Sequence, residues 1–311
     1  MGALRIRTPN PIPSHRHLRN LTKSSVMLMA YFEQVPSLQW LAQTPAFVKV
    51  IAFFLTWGVL WLPIAIPIAI AVKWQPRKPL PAGQKLAFLA SLYPIAPMLV
   101  WGFAGTENLP LSHYGLIWHP DVLVSLGRGT GLGIVSLAVM FGLFLRLGWI
   151  NWLPVSANTP LASVLLPTLL VGLWVGATEE LIFRGFLFSE LLHDCPVWVA
   201  AAISSLIFAL LHLVWDLRDT LPQLPGLWLM GMVLVLARAV DGGSLGLAIG
   251  LHAGWIWGIA SLDTAGAIAY TGTAPEWLTG VGGKPLAGAA GTLLLLATGA
   301  LLWVLGFGFR L

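Results

Sequence analysis

From position 46 onward the chain alternates continuously apolar runs with short polar breaks. The runs fall at 46–72, 86–104, 123–145, 161–176, 197–214, 224–240, 244–262 and 286–305. A helix needs about 20 residues to cross the hydrocarbon core of a bilayer, and most of these runs approach that length. Strands of a membrane barrel are about half as long and alternate apolar with polar positions, which these runs do not. Backbone groups in lipid must find partners inside the spanning segment, so helices remain. The pattern therefore predicts an all-α integral membrane protein, with about eight transmembrane helices in one bundle around an intramembrane polar site. No internal repeat is visible.

Composition strengthens this picture. Of 311 residues, 57% are apolar and 9% charged, against about 25% charged in an ordinary soluble domain. Mean hydropathy is +0.83. A soluble fold, a disordered chain and a disulfide-rich secreted module are excluded, the last because Cys195 is the one cysteine. The 16 tryptophans include Trp57, Trp61, Trp74, Trp149, Trp152, Trp215 and Trp228 near the ends of runs, as in an interfacial aromatic belt. The 33 glycines permit close helix contact in lipid.

The net charge of +5 is concentrated rather than spread. Arg5, Arg7, Arg16, Arg19 and Lys23 lie near the start, and Lys73, Arg77, Lys78 and Lys85 share one loop. Basic flanks beside apolar spans mark cytoplasmic loops, not a nucleic-acid partner. Residues 1–45 read as a basic tail or an over-long start, and 46–311 as the membrane domain. Tail and loop both point to the cytoplasm. Hence the first run, with Pro63 and Pro67, is re-entrant or broken, or the tail is not native.

The informative residues are the ionisable ones at depth. A charge at the centre of a span costs about 2.5–3.5 kcal/mol on insertion scales, so those that occur tend to be functional. The densest cluster, Glu179-Glu180-Leu181-Ile182-Phe183-Arg184, closes a long apolar run. Adjacent residues on a helix point about 100° apart, so the two carboxylates take different roles. Glu180 and Arg184 are four apart and share a face, which makes them an ion pair. Glu179 is left without a local partner, which suits it to general-base work. Solvation of both glutamates at a helix end is the bland alternative. Phe208-Ala-Leu-Leu-His212 lies in the next run and His252 in a later one. Two Glu and two His on three helices can converge in a bundle core. They suffice to activate water and hold an oxyanion, or to bind zinc.

The order Glu-Glu-x-x-x-Arg (Glu179, Glu180, Arg184), then Phe-x-x-x-His (Phe208, His212), then a third-helix His (His252) resembles the CAAX-protease and bacteriocin-processing (CPBP, Abi) family, over about residues 161–262. The resemblance implies an eight-helix intramembrane endopeptidase acting on a membrane-embedded or lipid-anchored substrate. Glu179 would activate water with help from His212, and His252 would hold the oxyanion. Glu180, Arg184 and Phe208 would support the site. No cofactor is expected; zinc on Glu179, His212 and His252 is the alternative. Segments 242–257 and 276–288 look like cyanobacterial and plastid members, which points to a bacterial inner or thylakoid membrane. One departure stands out. Four residues past His252, where the family often has Asn, stands Ile256, which donates no hydrogen bond. A non-catalytic scaffold, immunity or assembly factor is therefore the competing expectation. Arg238 and Asp241, three apart, are expected to pair, and Arg128 to lie ahead of its span.

Overall fold

The computed structural model describes residues 43–75, 80–154 and 160–308, so nearly all of the basic tail lies outside the described residues. The helices are α1 (Ala46–Ala71), α2 (Ala82–Leu92), α3 (Ile95–Thr106), α4 (Asp121–Arg146), α5 (Leu161–Glu180), α6 (Phe188–Asp194), α7 (Val197–Leu211), α8 (Leu217–Thr220), α9 (Leu224–Val240), α10 (Gly246–Ala265), α11 (Glu276–Thr279) and α12 (Ala289–Trp303). A two-stranded antiparallel ribbon, β1 (Ile150–Trp152) with β2 (Ile268–Tyr270), ties together the loops after α4 and α10.

Among the described residues, seven helices are long and apolar enough to cross a membrane: Ala46–Ala71, Ala82–Thr106, Asp121–Arg146, Leu161–Asp194, Val197–Val214, Leu217–Val240 and Ala289–Gly306. The remaining expected span corresponds to α10. It has 20 residues, but His252, Asp263 and four glycines dilute its hydropathy. The protein is thus an all-α, multi-pass integral membrane protein.

Three local expectations need correction. The first apolar run is not broken: α1 is a continuous helix of 26 residues with Pro63 and Pro67 inside it. Arg128 does not precede its span, because α4 begins at Asp121. The Glu179–Arg184 cluster does not close a helix. After α5 the chain passes through one stretch of π-helix, Leu181–Leu187, and continues into α6. The polar doublet looks like an end in the sequence because it interrupts the apolar run. In space it is the middle of a 34-residue helix, Leu161–Asp194.

The core is organised around α10, which packs against α4 and α5. Small residues allow backbone-to-backbone approach on both sides. Towards α4, Gly129 and Gly133 face Gly250 and Gly254. A Cβ on Gly133 would lie 2.8 Å from the Leu251 carbonyl oxygen, and one on Gly254 would lie 2.6 Å from that of Thr130. Towards α5, a Cβ on Gly172 would lie 2.9 Å from the Ala253 oxygen, and one on Gly176 would lie 3.2 Å from the Ala253 nitrogen. This double clamp fixes the height of His252 against the α5 glutamates.

Candidate active site

Glu180 and Arg184 are four residues apart and meet as the helical repeat requires, with Arg184 Nη1 2.9 Å from Glu180 Oε1. Both side chains are wholly buried. A pair at this depth needs more than its own attraction to offset desolvation. The face of Phe208 supplies part of it: the guanidinium carbon lies 4.3 Å from the ring centroid, a cation–π contact. Arg184 Nε and Nη2, and Glu180 Oε2, make no hydrogen bond among the described residues.

His252 reaches the doublet from α10. Its Nδ1 lies 2.8 Å from Glu180 Oε1. The carboxylate is the acceptor, so Nδ1 carries a proton. The other ring nitrogen, Nε2, faces Glu179 Oε2 at 3.7 Å, and the ring is 3% exposed. Both glutamates are thus addressed by one imidazole. Glu179 is 8% exposed, which excludes the expectation of two solvated carboxylates at a helix end. Its Oε1 accepts the hydroxyl of Tyr93. Its Oε2 is buried and makes no hydrogen bond among the described residues.

His212 sits where α7 gives way to a single 3₁₀ turn. Its Nδ1 is 2.8 Å from the Phe208 carbonyl oxygen; the carbonyl accepts, so Nδ1 donates and Nε2 is the nitrogen left for other partners. The Phe208 ring contacts His212 at 4.6 Å and His252 at 5.9 Å between centroids. Phe208 is therefore the common wall for Arg184 and both histidines. Among the described residues, no hydrogen bond or ion pair joins His212 to either glutamate. The structure brings Glu179, Glu180, Arg184, Phe208 and His252 into direct contact and attaches His212 through Phe208. Ile256 lies one turn beyond His252, its Cβ 3.6 Å from where a Cβ on Gly172 would be, so it packs towards α5.

One supporting residue escapes the sequence reading, and another is given the wrong partner by it. Tyr93 is one of four tyrosines in the chain, and a hydroxyl inside an apolar run is the signal that marks it. Arg238 does not pair with Asp241. Asp241 instead accepts from Ser125 Oγ and the Leu247 amide. The Arg238 guanidinium donates to the Arg184 carbonyl, to Ser189 Oγ at 3.0 Å, and to the His113 and Gly243 carbonyls at 3.1 Å each. A π-helical stretch loosens the regular carbonyl pairing, and a buried cation in lipid finds its partners there.

A second buried polar cluster lies away from the doublet. Lys49 of α1 bonds Glu107 and lies 3.1 Å from Glu190 Oε2, while the Tyr114 hydroxyl donates to Glu190 Oε1 at 2.8 Å. Burial, reinforced by the Glu190 carboxylate, pushes the Tyr114 phenol well above its ordinary range, so it stays a donor. Among the described residues, three side chains with metal-ligating atoms all within 4.8 Å of one another occur at Glu107, Glu190 and His193. The Lys49 ammonium already matches the two carboxylates there. Glu179, His212 and His252 are not a group of this kind among the described residues.

Neither curated proteins nor solved structures gave a match. Residues 160–258, which hold Glu179, Glu180, Arg184, Phe208, His212 and His252, match the family model described as type II CAAX prenyl endopeptidase Rce1-like.

Proposed function

We propose that this protein is an intramembrane endopeptidase of the CAAX-protease type, in which Glu179 draws a proton from a water as that water attacks the scissile carbonyl. The observation that carries the reading is Glu179 Oε2. It is buried, has no hydrogen-bond partner among the described residues, and stands 3.7 Å from His252 Nε2. That separation is too long for a hydrogen bond, so neither atom satisfies the other, and the attacking water enters between them when the site opens to substrate. The chemistry follows from the placement. The water oxygen bonds to the carbonyl carbon and its proton passes to Glu179 Oε2. The carbonyl oxygen takes the charge, and His252 Nε2–H passes from the water to donate to it. The proton then moves to the leaving nitrogen as the C–N bond breaks, a transfer in which His212 Nε2 assists. For His252 to donate at Nε2 while Nδ1 serves Glu180, the ring holds both protons.

The family match supports the activity, and the depth of the site supports a peptide or protein substrate presented within the bilayer. We assign hydrolysis to these side chains, with no metal in the steps. The test is cleavage of a farnesylated peptide in proteoliposomes, read by mass spectrometry, with and without 1,10-phenanthroline and with His252→Ala and His212→Ala. Chelator-insensitive cleavage lost in His252→Ala is the expected result. A general acid–base residue contributes about 10²–10⁴ in rate, and His212→Ala falls in that range. Chelator-sensitive cleavage would move the same residues to a zinc site. Ile256 favours a second reading, a non-catalytic assembly factor, and biological function that survives Glu179→Gln would support it.

A further inference from the structure

We infer that Tyr93, which lies outside the family-matched segment, is the positioning residue for Glu179. The inference rests on the proposed role of Glu179 as the base. The local structure explains how a tyrosine from a distant span comes to be there. The helix Ala82–Thr106 breaks at Tyr93-Pro94, between α2 and α3. Proline has no N–H, and the Ala96 amide turns to the Tyr93 carbonyl at 3.2 Å rather than to that of Leu92. The Leu92 carbonyl so released accepts the Trp57 indole N–H at 3.0 Å, and the Trp61 indole donates to Ser91 Oγ at 2.9 Å one residue earlier. The break is thus held from α1 by two indoles.

At the break the Tyr93 ring turns inward. It is 5% exposed and rests against Trp174 of α5, with ring centroids 5.4 Å apart. Its hydroxyl donates to Glu179 Oε1. The carboxylate is then held by one oxygen only, and Oε2 is turned towards His252. The charged or titratable groups around Glu179 are Tyr93 from the α2–α3 break, His252 from α10, and Glu180 and Arg184 on its own helix. Of these, Tyr93 is the one that donates a hydrogen bond to Glu179. Without it both carboxylate oxygens would be free to rotate, and the base would share its time between productive and unproductive orientations. Misplacement on that scale costs up to about 10²-fold in rate.

The experiment uses the full chain in proteoliposomes, the farnesylated peptide, and the variants Tyr93→Phe, Glu179→Gln and the double. Tyr93→Phe is expected to lower kcat about 10- to 100-fold with KM within about twofold of wild type. In the Glu179→Gln background it should add nothing, because a residue that acts through Glu179 has nothing left to act on. Infrared spectroscopy gives a readout independent of turnover. The carboxylate band lost in Glu179→Gln should shift in Tyr93→Phe, as expected when a hydrogen bond is removed. An unshifted band, or an unchanged kcat beside an inactive Glu179→Gln, would overturn the inference and leave the base assignment standing. Wild-type kcat in Glu179→Gln would instead remove the base assignment itself, and the role of Tyr93 with it.

Discussion

Replacing Arg184 by methionine tests the electrostatic logic of the site. The side chain is wholly buried, and one nitrogen lies 2.9 Å from Glu180 Oε1. Two unit charges about 4 Å apart interact by about 4 kcal/mol at an effective dielectric of about 20. Removing one partner of a buried pair typically costs about 3–5 kcal/mol, because the other charge remains buried. Here Glu180 would keep only His252, at 2.8 Å. The expected loss for Arg184→Met is therefore about 3–5 kcal/mol. The double variant Glu180→Gln/Arg184→Met removes both charges, and it should recover at least about 2 kcal/mol of that loss through the coupling of neighbouring sites. Reversible unfolding in mixed micelles, followed by tryptophan fluorescence and circular dichroism, measures both. A single variant that costs under about 1 kcal/mol, or a double that is no more stable than Arg184→Met, would refute the reasoning. In either case the guanidinium would not be neutralising Glu180.

Other outcomes follow from the same structure. Arg238→Met leaves the carbonyls of Arg184, His113 and Gly243 short of a donor. Of these, only the Arg184 carbonyl is fully buried, so at about 1–3 kcal/mol for a buried unpaired group the variant should lose at least about 1 kcal/mol in the same unfolding assay, and an unchanged stability would show that its contacts are dispensable. Gly250→Ala places a methyl against the Leu126 carbonyl oxygen, so α10 must move away from α4. The expected cost is about 1–3 kcal/mol, with a fall in kcat because His252 moves too. Ile256→Asn adds a hydrogen-bond donor one turn from His252. If a missing oxyanion donor limits the rate, kcat should rise about tenfold or more, since one such donor is worth about 10²–10³ in soluble proteases. An unchanged kcat would show that the deficit lies elsewhere.

The helical membrane architecture was legible because continuous apolar runs of spanning length admit few other structures. The Glu180–Arg184 pair was legible for a local reason: a four-residue spacing decides a contact on a helix whatever surrounds it. The end of the helix was not. The sequence places polar residues where an apolar run stops, and only packing shows that the backbone continues through a π-helical stretch into α6. Arg238 was misassigned for a related reason. Its spacing from Asp241 suggests a pair, but the carbonyls near the π-helical stretch compete for the guanidinium, and Asp241 is taken by Ser125 and the Leu247 amide. The Tyr93 contact joins residues 86 apart in the chain, so no periodicity reports it. The glycines of α4, α5 and α10 suggested close packing. Their pairing, which sets the height of His252, is a property of three helices together.

The most direct test of the central claim is the turnover of a farnesylated peptide by purified wild type and by Glu179→Gln, in one lipid composition, with both proteins shown to unfold at the same midpoint. If Glu179 is the base, wild type cleaves and the folded variant loses at least about 10²-fold in kcat, with the peptide still bound. A folded Glu179→Gln that cleaves at the wild-type rate would contradict the account, because the buried, unpartnered oxygen on which it is built would then take no part in the reaction.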